Sequence, residues 1–89
     1  MKRSANFLLR EVADTLVLVP LGEAAISFPG MVTLNATGAY IWELLEKEQT
    51  LQSLAEALAE HYAVDLEKAQ ADAAAFVEKL LPIGAILEN

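Results

Sequence analysis

The stretch that decides the fold is Leu34-Asn35-Ala36-Thr37-Gly38-Ala39-Tyr40-Ile41-Trp42-Glu43-Leu44-Leu45. It leads from a strand-like run into an amphipathic helix and holds the chain's one tryptophan. Asn35 is a good helix N-cap, since its side-chain oxygen can accept from a backbone amide near Thr37 or Gly38. Tyr40, Ile41, Leu44 and Leu45 recur at helical spacing, with Trp42 on a flank. Glu46-Lys47-Glu48-Gln49 ends this helix and forms the next loop.

Upstream, Phe7-Leu8-Leu9-Arg10-Glu11-Val12 has strand length, and Ala13-Asp14 makes a plausible turn. Thr15-Leu16-Val17-Leu18-Val19 is rich in branched residues, so the two runs read as a hairpin. Pro20-Leu21-Gly22 punctuates the chain. Ala24 to Phe28 reads as a further strand, Pro29-Gly30 as a breaker or bulge, and Met31-Val32-Thr33-Leu34 as extended. The third strand is then Ala24 to Phe28, Met31 to Leu34, or one bulged strand containing both. Pro29 lacks an amide hydrogen, so this strand should lie at a sheet edge or break there.

Downstream, Thr50 caps a second helix. Leu51, Leu54, Ala55, Leu58, Ala59 and Tyr62 form one apolar stripe, with Gln52, Ser53, Glu56 and Glu60 facing water. Asp65 caps a third helix, and Glu67 adds negative charge at its positive end. Its main stripe is Leu66, Ala69, Ala73, Phe76, Val77 and Leu80, widened by Ala71, Ala74 and Ala75. Pro82 and Gly84 stop it, and Ile83 to Leu87 is a short closing strand or a packed tail. Strands first and then three helices give an α+β domain. Its expected form is winged helix-turn-helix-like: a small N-terminal antiparallel β-sheet of three strands followed by three α-helices.

Bulk numbers limit the function. At 89 residues the chain is expected to form a single domain, 1–89. Its stability should be on the order of 5 kcal/mol. There is no cysteine, so disulfides and thiolate chemistry are excluded. The net charge of −7 and pI near 4.4 lack the basic footprint of nucleic-acid binding and disfavour anionic membranes. The third helix sets only Lys68 and Lys79 against Asp65, Glu67, Asp72 and Glu78, poor electrostatics for a recognition helix. No run reaches the ~18 apolar residues of a membrane span. Lys2 and Arg3 begin like a signal peptide, but Ser4, Asn6, Arg10 and Glu11 interrupt it, so a cytoplasmic location is expected.

The pattern Leu34-Asn35-x-Thr37-Gly38-x-x-Ile41-Trp42-x-Leu44-Leu45 resembles the PqqD-like family. The likeness extends to the hairpin Leu9 to Pro20 and to Phe28-x-Gly30-Met31-Val32-x-Leu34-Asn35. It continues through Thr50-x-x-x-Leu54-x-x-x-Leu58-x-x-x-Tyr62-x-Val64, then Asp72-x-x-x-Phe76-x-x-x-Leu80 and Gly84. The resemblance implies a non-catalytic recognition element that binds the leader segment of a ribosomally made, modified peptide (a RiPP precursor). It implies presentation of that leader to a modifying enzyme, often a radical S-adenosylmethionine (radical SAM) protein, in RiPP or PQQ-type biosynthesis. No cofactor is implied. The leader is expected to add as a strand to the third strand, against the third helix.

Carried onto this chain, the peptide site is Met31, Val32, Thr33 and Leu34 with Ala69, Asp72, Ala73, Phe76, Val77, Lys79 and Leu80. Asp72 and Lys79 would select peptide charges at the rim. The segment Leu21 to Ser27 departs from the more direct run of the quinone-pathway protein, so the chain reads as a PqqD-like relative whose pathway is PQQ or another RiPP. An open edge also permits a homodimer. Winged-helix nucleic-acid binding and a self-associating structural role are the competing functions.

Other residues have plainer readings. Trp42 is expected in the core, as large aromatics dominate small cores. The phenylalanine and leucine stripe on the third helix serves as core as readily as groove. His61 with Asp65 supplies too few ligands for a metal, and His61 is expected near the negative end of the second helix. Glu43, Glu46, Glu48, Glu56 and Glu60 read as solvated charge rather than an acid/base set.

Overall fold

The computed structural model describes residues 1–27 and 30–88. Strand β1 (Lys2–Arg3) is followed by β2 (Phe7–Val12) and β3 (Thr15–Pro20). A short helix α1 (Glu23–Ser27) precedes β4 (Val32–Leu34). Helices α2 (Ala36–Leu44), α3 (Leu51–Tyr62) and α4 (Leu66–Leu80) follow, and β5 (Ile86–Leu87) closes the chain.

The expected hairpin is present. Phe7 pairs with Pro20 and Val12 with Thr15, leaving Ala13-Asp14 as a two-residue turn. Both turn residues have positive φ, 51° and 69°, which matches the right-handed twist of the flanking strands. Among the described residues β4 pairs antiparallel with β3 only, through Leu16–Leu34, Val17–Thr33 and Leu18–Val32. The sheet order β2-β3-β4 therefore leaves β4 on an edge.

Two expectations change here. Ala24 to Ser27 is not strand: it lies in α1, and the third strand is Val32–Leu34. Its sequence, Glu23-Ala24-Ala25-Ile26-Ser27, opens with an acidic residue and two alanines, which favour a helical turn. Phe28 and Pro29, which that reading included, lie outside the described residues. The closing strand forms, but in a second sheet of two strands: β5 pairs with β1, which sequence patterning had not suggested. Two residues are too short for any periodicity to register.

The helix caps follow the sequence. The Asn35 side chain accepts from the Gly38 amide at 2.8 Å. Thr50 and Ser53 form a reciprocal capping box. The Asp65 side chain accepts from the Lys68 amide at 2.8 Å. Strand alternation turns Phe7, Leu9, Leu16, Leu18, Val32 and Leu34 toward the helices. There they meet Ile41, Trp42, Leu45, Leu54, Leu58, Ala69, Ala73, Phe76 and Leu80 in one core. Trp42 is only 2% exposed, the core role expected of it. Leu51 and Tyr62, at the two ends of the α3 stripe, are exposed.

The terminal sheet is fastened to α2. The Arg3 amide donates to the Leu45 carbonyl at 2.9 Å, and its guanidinium donates to the Trp42 carbonyl at 3.1 Å. The same guanidinium lies 5.7 Å from the Trp42 ring centroid, a cation–π contact.

Candidate functional site

A groove of about 420 Å³ opens between the β4 edge, the first turns of α2 and one face of α4. Thr33 and Leu34 form the strand side, and Asn35, Thr37, Gly38 and Ile41 the floor. Lys68, Asp72, Ala75, Phe76 and Lys79 form the helix side. Those five recur at i, i+4, i+7, i+8 and i+11, one continuous helix face. A smaller hollow of about 260 Å³, with Leu58, Tyr62 and Val64 in its wall, shares Thr37, Lys68 and Asp72 with the groove.

Local sequence sets this geometry. A β-carbon built at Gly38 would lie 3.2 Å from Phe76 Cε2, 3.3 Å from Asn35 Oδ1 and 3.5 Å from Leu34 Cβ. Glycine at this position lets the Phe76 ring approach the start of α2. Phe76 is 9% exposed: most of the ring is core, and its remaining edge is groove wall. Lys68 Nζ donates to Asp72 Oδ2 at 3.3 Å across one turn of α4.

Of the expected site residues, Thr33, Leu34, Asp72, Phe76 and Lys79 line this groove together. Met31 is exposed just before the strand but is not in the wall. Val32 contributes backbone to the edge while its side chain is buried. Ala69, Ala73 and Leu80 do not fit the expected role. Each is 0% exposed and packs in the core, so none offers a peptide any surface. Val77 is half-buried against the core and also lies outside the groove wall. The reason is angular: the apolar stripe of α4 is the face it needs for the core, and the groove uses the neighbouring, more polar face.

Lys68, Ala75, Asn35, Thr37, Gly38 and Ile41 were not among the expected site residues. The signal for the α4 pair was available, since Lys68 and Ala75 share a helix face with Asp72 and Lys79. The floor required knowledge of how α2 docks.

A second hollow of about 540 Å³ lies among Lys2 to Leu9 and Trp42 to Glu46. Its most polar wall, Arg3, is already bonded to the Trp42 carbonyl and to Glu46. It adjoins β2, the other edge strand of the sheet, but no residue of α4. The groove beside β4 combines an open strand with a partly apolar wall and is the stronger site.

Residues with other candidate roles take ordinary ones. His61 is exposed and stacks on Tyr40 with ring centroids 4.0 Å apart, while Asp65 is engaged as a helix cap. Among the described residues no cluster of three or more His, Cys, Asp or Glu could hold a metal. Glu43, Glu46, Glu48, Glu56 and Glu60 are exposed; Glu46 faces Arg3, and Glu56 accepts from Gln52. Among the described residues no helix is long and apolar enough to cross a membrane.

A sheet edge left open beside an amphipathic helix defines a small domain built to receive an extended chain. Residues 15–86 match the family of Coenzyme PQQ synthesis protein D (PqqD), and this chain belongs to that family. It is similar in structure to TbiB1, solved in complex with the TbiA(beta) leader peptide. The two share 25% identity, with 100% of this chain and 98% of that chain covered and a TM-score of 0.76. A lasso peptide synthetase B1, complexed with the leader peptide, has the same fold at 23% identity and a TM-score of 0.73, with 98% of this chain and 96% of that chain covered. No curated protein matches the chain.

Proposed function

We infer that this chain binds the leader segment of a ribosomally made precursor peptide and presents it to a modifying enzyme. The observation that carries this reading is the open β4 edge with its groove against α4. A leader adding beside Val32–Leu34 would satisfy the unpaired backbone groups of the edge. Its alternate side chains would rest on Ala75 and Phe76. Membership of the PqqD family and similarity to a chain solved with a leader peptide support the same reading.

The protein then acts as an accessory, supplying affinity and orientation while its partner supplies the chemistry. A radical SAM enzyme is the partner class that the family suggests, and the cytoplasm is where such a precursor would be met. Titration of the domain with a leader peptide, followed by amide NMR, tests the reading. Shifts concentrated at Thr33, Leu34 and Lys68 to Lys79 are expected. Saturating peptide that moves only residues remote from β4 refutes strand addition at this edge.

A further inference from the structure

The groove is charged against the trend of the chain. Thirteen acidic and six basic side chains make the protein strongly negative. Yet the charged residues lining the groove are Lys68, Lys79 and Asp72. Lys68 and Asp72 pair at 3.3 Å and cancel. Lys79 stands exposed in the last turn of α4 and makes no ion pair among the described residues. Among the described residues the groove therefore presents one uncompensated cation, at one end of a partly apolar wall.

We propose that the peptide taken by this groove carries a carboxylate and that Lys79 selects it. This rests on the peptide-binding reading above and adds the chemistry of the occupant. Helix rise places Lys79 about 6 Å along the axis from Ala75. Same-face side chains of an extended peptide repeat at about 6.6 Å. A peptide that follows the α4 axis, with one residue on Ala75 and Phe76, puts that residue's same-face neighbour, two positions away, at Lys79. The recognised pattern is a large apolar residue with Asp or Glu two positions toward the Lys79 end.

Selection is local. At about 0.15 M salt the Debye length is about 8 Å, so exposed carboxylates farther than that from Lys79 are largely screened from it. Glu78, next in sequence, points about 100° away around the helix.

The test is selection of random twelve-residue peptides displayed against immobilised wild type, Lys79→Gln and Lys79→Glu. Lys79 is exposed, and buried Trp42 reports in each variant that the fold is intact. Wild type is expected to enrich Asp or Glu two positions from a large apolar residue. Lys79→Gln should lose that preference, and Lys79→Glu should replace it with Lys or Arg. In a selected peptide, reversing the acidic residue to Lys should weaken wild-type binding about threefold to tenfold, the scale of an exposed ion pair turned repulsive. The same charge preference in all three chains overturns the proposal but leaves peptide binding standing. Failure of folded wild type to enrich any peptide overturns both.

Discussion

Phe76 joins stability to recognition, and its substitution separates the two. The ring is 9% exposed, so Phe76→Ala removes a nearly buried aromatic and leaves a cavity beside Gly38 and Leu34. Such truncations cost about 3–5 kcal/mol. At 0.05–0.15 kcal/mol per residue the whole domain has about 4–13 kcal/mol, so the variant should be severely weakened. Phe76→Leu keeps much of the volume and should cost about 1–1.5 kcal/mol, leaving a folded domain with one groove wall reduced. Urea unfolding followed by Trp42 emission reads both, because the one tryptophan is 2% exposed and enters water only on unfolding. Leader-peptide titration of Phe76→Leu reads the wall, with a severalfold loss of affinity expected. A cost below about 1 kcal/mol for Phe76→Ala would refute the core assignment. Unchanged affinity in folded Phe76→Leu would refute the groove assignment.

Four further outcomes follow from the same geometry. Gly38→Ala should gain little in wild type, where the new β-carbon meets the Phe76 ring at 3.2 Å and Asn35 Oδ1 at 3.3 Å, and should be better tolerated in Phe76→Leu, where the first of these contacts is relaxed; additive costs in a double-mutant cycle would contradict the ring contact. Successive residues of an antiparallel strand direct their amides to opposite sides, so one of Val32→Pro and Thr33→Pro should break the β3 ladder and the other the open edge. Melting and peptide titration of the pair check this, and two folded variants with full affinity would exclude the edge. Ala63 caps α3 with φ 54° and ψ 39°, so Ala63→Gly should add about 0.5–1 kcal/mol and raise the melting temperature by several degrees. Asn35→Ala should cost about 1 kcal/mol in urea unfolding through loss of the Gly38 cap, and no change would show that the cap is dispensable.

Local chemistry made much of the fold legible from sequence. Asn35, Thr50 and Asp65 are capping residues whose side chains bond amides a few positions on, so the starts of α2, α3 and α4 could be read directly. The β2–β3 hairpin and the α3 stripe were equally readable, because a period of two or 3.6 residues is written into the chain. The α1 segment was misread because five residues with two alanines and an isoleucine satisfy strand and helix alike. The β1–β5 pair went unseen because its partners are joined only by the folded chain.

For the site, sequence alone determined that α4 is amphipathic and that Asp72, Phe76 and Lys79 lie close along it. It also showed that an extended run, Met31 to Leu34, leads straight into the cap of α2, while the choice of Val32–Leu34 as the third strand came from the folded chain. Tertiary structure decided which face of α4 remained open. Ala69, Ala73 and Leu80 turned inward because small and apolar side chains pack closest to α3 and the sheet. Lys68, Asp72, Ala75 and Lys79 were left on the groove side, with the edge of Phe76 between them. Periodicity specifies that a helix has an apolar face, but the border of that face is set by how near its neighbours approach. At Gly38 that approach depends on the absence of a single β-carbon.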